Sequence, residues 1–267
     1  MKTISIFAYD INVVEDFLYI FNPMVRKPFN FEVFLYTSFL SPDTIGDVGI
    51  TDNMIRDLTN LKSKYCWVHE LKIHGLVTTG PDVTPEPQNI DNFVDFLYTQ
   101  KEDLELAGHT LECDFEIEHE SQKSNYTEMA IKLSNKIAPD NVHVDVGSYK
   151  HSTIDMWKIY NENIKVINTG MYSGSLCTFY KELYNMLASP LSRVNQIPAV
   201  SFSTAHVAMN TRMKRLRQFG YNSVAIFDPN GSDNMYARDI ADFIETPSWN
   251  RLTIPTIIGI GSSLIIG

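Results

Sequence analysis

The chain has 267 residues, 44% of them hydrophobic and 20% charged, which is enough apolar material for a sizeable core. Its 32 acidic side chains against 22 lysines and arginines leave a net charge of −10 with no basic cluster, which argues against nucleic acid or an anionic membrane as a partner. Cys66, Cys113 and Cys177 are scattered and form no CxxC pair, so neither a zinc ribbon nor a disulfide scaffold is indicated.

The opening MKTISIFAYD is too short an apolar run for a secretion signal and instead begins a strand at Thr3. Further strand patterns follow in FEVFLYTS from Phe31, LKIHGLVTT from Leu71, HTLECDFEI from His109 and VHVDVGS from Val142. The series ends with IKVINTGMY from Ile164, IPAVSFS from Ile197 and YNSVAIFD from Tyr221. Between several of these lie helical stripes: Ile90, Phe93, Val94 and Leu97, then Tyr126, Met129, Ala130, Leu133 and Ile137, stopped by Pro139. Gly220 is placed to cap a helix ending in MKRLRQF, and a last amphipathic segment runs from about Asp233 to Ile244. The stretch from Val13 to Asn30 is poorly periodic. The apolar tail IPTIIGIGSSLIIG, from Ile254, is too short to span a bilayer and reads as a closing strand or docked tail.

Eight strands separated by crossovers, in a chain of this length and without a linker, predict an α/β protein. The expected architecture is a single (β/α)8 TIM barrel over residues 1–267, with some helices irregular or missing; a doubly wound open sheet is the competing fold. In LECDFEIEHE, from Leu111 to Glu120, acids alternate with apolar residues. In a barrel, Leu111, Cys113, Phe115 and Ile117 would pack outward on the helices, with Glu112, Asp114 and Glu116 inside. Carboxylates enclosed together repel one another, so at least one should be protonated near neutrality. Barrel active sites form at the C-terminal strand ends, where Asp114 and Glu116 fall.

Other chemistries find less support. His143 and Asp145 could be half of a metal site, but a hydrogen-bonded structural pair is the reading adopted, since a metal needs more ligands. No metal or cofactor is expected. There is no HExxH and no GxSxG, Ser173–Ser175 has no partnered base, and GIGSS precedes no helix. Trp67, Trp157 and Trp249 are read as half-buried packing rather than sugar platforms.

HTLECDFE, from His109 to Glu116, resembles the DGxDxDxE signature of glycoside hydrolase family 18, with DFE intact. LVTTG (76–80) lies where that family carries an SxGG strand, NYTEMAIKLSNKIAP from Asn125 resembles its next helix, and INTGMY (167–172) its tyrosine-bearing sixth strand. AYDIN (8–12) and GYNSVAIFDPNGSDNMYARDIADFI (220–244) look most like small endo-β-N-acetylglucosaminidases of the endoglycosidase H type. The resemblance implies a retaining mechanism in which the sugar's own acetamide is the nucleophile. In that scheme Glu116 is the acid, Asp114 holds the acetamide N–H, and Tyr172 binds the acetamide oxygen. Glu112, Asp10, Asn168, Phe227 and Asp228 would line the substrate. The resemblance implies a glycan or glycoprotein substrate; the compartment is left open, with a secreted or cell-surface location favoured if the substrate is a glycoprotein, and a monomer is expected. Departures from the pattern are His109 and Thr110 for the first aspartate and glycine, Pro81 for the second glycine of SxGG, Phe227 for the floor tryptophan, and Ser173 after Tyr172. These leave a catalytically silent, glycan- or protein-binding barrel as the alternative.

Overall fold

A computed structural model describes residues 1–79, 83–113, 120–149, 152, 154–171, 175–202, 206–227 and 234–248. Its strands are β1 (Thr3–Ala8), β2 (Phe29–Leu40), β3 (Ile45–Asp47), β4 (Val68–Thr79), β5 (Gly108–Cys113), β6 (Val142–Val146), β7 (Lys165–Asn168), β8 (Gln196–Ser201) and β9 (Ser223–Phe227). The helices are α1 (Ile11–Phe21), α2 (Asp52–Lys64), α3 (Ile90–Asp103), α4 (Glu120–Ile137), α5 (Met156–Ile159), α6 (Leu176–Ala188), α7 (His206–Gln218) and α8 (Asn234–Glu245).

All strand pairings are parallel except that of β3, a short antiparallel return on the end of β2. Because β1 pairs with both β2 and β9, the sheet closes on itself and the fold is a (β/α)8 barrel rather than an open sheet. Each of the eight predicted strands is present.

Strand alternation sorts the side chains into two cores. Ile4, Ile6, Val33, Leu111, Val144, Val166, Val200 and Val224 face outward and are buried under the helices. Phe7, Phe34, Leu76, Ile167, Ile197, Ala199 and Ala225 fill the barrel itself, with Phe227 packed against them. The outward position of Leu111 fixes the parity of β5 and puts Thr110 and Glu112 on the inner face.

The stretch after β1 corrects the sequence reading. It forms α1, whose buried residues Val14, Phe17, Leu18 and Phe21 recur at helical spacing. Apolar neighbours off the stripe, Ile11, Val13, Tyr19 and Ile20, had obscured the periodicity. The other helical readings hold. In particular, Gly220 has φ +83°, and Gly220 N–H and Tyr221 N–H bond to the carbonyls of Arg217 and Leu216 at 3.1 Å each, a Schellman cap.

Candidate active site at the barrel mouth

The described part of β5 ends at Cys113, with Glu112 half-buried beside Asp145 of β6. The Thr79 hydroxyl donates to the Glu112 carbonyl at 3.2 Å, so the end of β4 braces the end of β5. Asp145 is buried, and its Oδ1 accepts a 2.8 Å bond from Thr169 Oγ1. Asp145 does not pair with His143, contrary to expectation: the two occupy successive inward layers of β6, and His143 lies instead 3.7 Å from Glu32. Phe227 closes the β9 side, its ring 5.6 Å from that of Phe7.

Two other residues expected to line the substrate are engaged by the scaffold. Asp10 is exposed beyond the end of β1 and caps α1, its Oδ1 accepting from Asn12 N–H at 2.8 Å. Asn168 is fully buried and faces α6, because its neighbour Ile167 takes the inward position. There Asn168 Nδ2 donates to Glu182 Oε2 at 3.2 Å.

Glu182 was not singled out in the sequence. From the buried face of α6, its carboxylate also accepts from Ser148 Oγ (3.1 Å), Tyr149 N–H (3.1 Å) and Asn185 Nδ2 (3.2 Å). One carboxylate thereby ties the ends of β6 and β7 to a helix. A charge interrupting the stripe Phe179, Leu183, Met186 was the signal that could have revealed it. Arg212, fully buried on α7, donates to the Met171 carbonyl and lies over the Phe179 ring. It holds the turn Thr169–Met171 that leads into Tyr172. Gly170 in that turn packs directly on the Gly147 carbonyl, where an added Cβ would collide.

His109, which replaces an aspartate in the resemblance, is a packing residue. Its imidazole is buried outside the barrel, with Nε2 2.6 Å from the Leu97 carbonyl of α3. Burial, only partly offset by the bond to the Leu97 carbonyl, lowers its pKa to about 4. Trp67 is half-buried as expected, whereas Trp157 is 72% exposed at the start of α5, beside Tyr160. Tyr9, exposed just beyond β1, lies 5.8 Å from the half-buried Tyr36 of β2. Asp114, Glu116, Glu118, Tyr172, Ser173, Asp228, Pro81, Trp249, the C-terminal tail and the Cys113 side chain lie outside the described residues.

A closed parallel barrel with acids at the C-terminal end of its strands defines the class, a (β/α)8 barrel with its polar groups at the mouth. Comparison with solved structures places it more narrowly, on the fold of family 18 chitinases. The chain superimposes on a chitinase from Bacteroides thetaiotaomicron with a TM-score of 0.70 at 10% identity, over 94% of this chain and 97% of that one. The chitinase from Chromobacterium violaceum gives 0.68 at 8% identity, over 92% and 100%. For the family 18 chitinase ChiB of Flavobacterium johnsoniae the score is 0.64 at 8% identity, over 91% and 93%. No protein-family model and no curated protein matches the sequence.

Proposed function

We propose that the protein is a retaining glycoside hydrolase that cleaves β-linked N-acetylglucosamine by substrate assistance. The observation that carries this reading is the inward parity of β5. Glu112 faces the mouth of a barrel shared with family 18 chitinases, and the chain continues directly into Asp114-Phe115-Glu116. Glu116 protonates the glycosidic oxygen as the leaving group departs. The acetamide oxygen of the −1 sugar attacks the anomeric carbon and forms an oxazolinium ion, which water then opens with the configuration retained. Asp114 takes the acetamide N–H and offsets the positive charge that develops there, and Tyr172 orients the acetamide oxygen. Glu112, close to Asp114 in sequence, raises the acid's pKa by like-charge repulsion. Phe227 and Asp228 contribute to the substrate-binding surface, while Asp10 and Asn168 act through the loops they hold.

The preferred bond in this reading is the β-1,4 link between the two core GlcNAc residues of N-glycans, in keeping with the resemblance to small endoglycosidases. Mass spectrometry of a high-mannose glycoprotein after incubation tests it. A single GlcNAc left on asparagine is the expected product; release of chitobiose from chitin oligomers, with the glycoprotein intact, would make the protein a chitinase. One observation favours a binding-only barrel instead. The position of the signature's first aspartate is taken by His109, which is spent on packing against α3. Saturable binding of chitin oligosaccharides with no cleavage at any pH would establish that reading.

A further inference from the structure

Below the mouth, the barrel interior is unexpectedly polar. Glu32, His74 and His143 are all buried, and a donor atom from each lies within 4.8 Å of the others. They come from β2, β4 and β6, at the inward positions one step before Phe34, Leu76 and Asp145. Among the described residues, neither ring nitrogen of His74 or His143 has a hydrogen-bond partner, although both side chains are fully buried. Buried imidazoles ordinarily find partners, because an unmade bond in a dry interior is costly. The two rings meet edge to face at 4.5 Å.

We propose that Glu32, His74 and His143 form a buried binding site for a divalent transition metal of the zinc class. Two imidazoles and one carboxylate are a recurrent ligand set for such ions, and neutral imidazole is the ligating form. Burial keeps both histidines neutral: His74 is lowered to about 4, and His143 well below its ordinary value. Burial opposes ionisation of Glu32, but Lys165, 3.5 Å from Oε1, His74, the Ser5 hydroxyl, 3.0 Å from Oε2, and Lys72 together outweigh it and lower its pKa below the ordinary carboxylate value. Oε2 faces His143 Nε2 at 3.7 Å, close to the about 3.3 Å ligand separation of a tetrahedral site with bonds of about 2.0–2.1 Å. Lys165 and Lys72 are the groups that oppose a cation here.

The Phe34 ring covers the cluster, 5.8 Å from His74 and 5.3 Å from His143, and belongs to the apolar layer between the cluster and the mouth. A saccharide at the strand ends cannot reach a metal beneath that layer. The ion's role is therefore to clamp three strands far apart in sequence, independently of the glycosidase reading.

The test uses the full chain without a histidine tag, unfolded in chelator, refolded, and titrated with Co2+ and then Zn2+. Uptake of one equivalent, visible Co2+ absorption displaced by Zn2+, and a raised thermal midpoint are expected. His74→Asn and His143→Asn should each weaken Zn2+ at least about a hundredfold, whereas His69→Asn, at an exposed position, should not. Lys165→Met should tighten Zn2+ several-fold by removing a repelling charge. Should the ligand variants fail to fold, imidazole 15N spectra of the wild type decide. Zn2+ must shift two of the seven histidines and no others. Stoichiometry below a tenth of an equivalent, unchanged affinity in folded ligand variants, or shifts confined to other histidines would overturn the site.

Discussion

Arg212 donates to the carbonyl of Met171, and this contact joins the middle of α7 to the residue before Tyr172. A fully buried guanidinium over the Phe179 ring is a rigid anchor, since its packing fixes where the donor points. Arg212→Met removes a charge-assisted bond worth about 1.5–3 kcal/mol. The expected outcome is a stability loss of that order by denaturant unfolding. If the turn positions Tyr172 for catalysis, kcat should fall by about tenfold or more while KM changes less. Proportional loss of activity and folded protein would reduce Arg212 to a structural role.

Glu182 accepts four hydrogen bonds, from Ser148 and Tyr149 in the loop after β6, from Asn168 at the end of β7 and from Asn185 of its own helix. In Glu182→Gln one acceptor oxygen becomes a donor facing other donors, so a loss of about 1–3 kcal/mol is expected. Glu182→Asp keeps the charge but shortens the reach and should recover only part of it. Chemical denaturation of both variants checks the order, and a Gln variant as stable as wild type would contradict the network.

Glu116→Gln should lower turnover at least about a hundredfold while oligosaccharide binding, measured by calorimetry, is retained. Near-wild-type turnover would place the acid elsewhere, with Glu118 the next residue to replace.

If the acetamide is the nucleophile, substrates with glucose in place of GlcNAc at the cleaved position should bind but not react. GlcNAc-thiazoline, a mimic of the oxazolinium, should inhibit competitively. Asp114→Asn should lose rate and thiazoline affinity together, and Tyr172→Phe should do so by only about 0.5–1.5 kcal/mol, the net worth of one neutral hydrogen bond. A covalent sugar ester trapped on any carboxylate would refute the scheme.

Acid should expose the buried His109. Its pKa is about 4 in the folded protein against an ordinary 6.5, so between those values the unfolded chain binds more protons and stability falls as pH falls. The contribution is fully present above about 7, declines from about 6.5 toward about 4, and is flat below. It amounts to something on the order of 3 kcal/mol. His109→Asn should be less stable at neutral pH and show a correspondingly shallower decline in unfolding free energy from pH 7 to 4. A parallel profile would show that other groups carry the acid response.

The strands were legible because each carries an alternating or continuous apolar run bounded by turns, and their number and the chain length favoured a barrel over an open sheet, which the pairing of β1 with both β2 and β9 then decided. The parity of LECDFEIEHE likewise placed Glu112 inside, because side-chain period two is a local property of the strand. Helix α1 was not legible, since apolar residues on both of its faces hide a stripe that only burial against β1, β2 and α8 selects.

What the sequence determined by itself is therefore what depends on local period and composition: the strands, their order along the chain, and the inward side of Glu112. Only the tertiary structure decided which polar residues meet. Asn168 could as well have faced the mouth as α6, and Asp10 a sugar as its own helix. His143 and Asp145, two apart on one strand, part company because the barrel stacks inward residues in layers, each paired with other strands. Glu32, His74 and His143 are separated by 42 and 69 residues in the chain and become neighbours only when the sheet closes, since closure, not sequence, sets which inward residues share a layer.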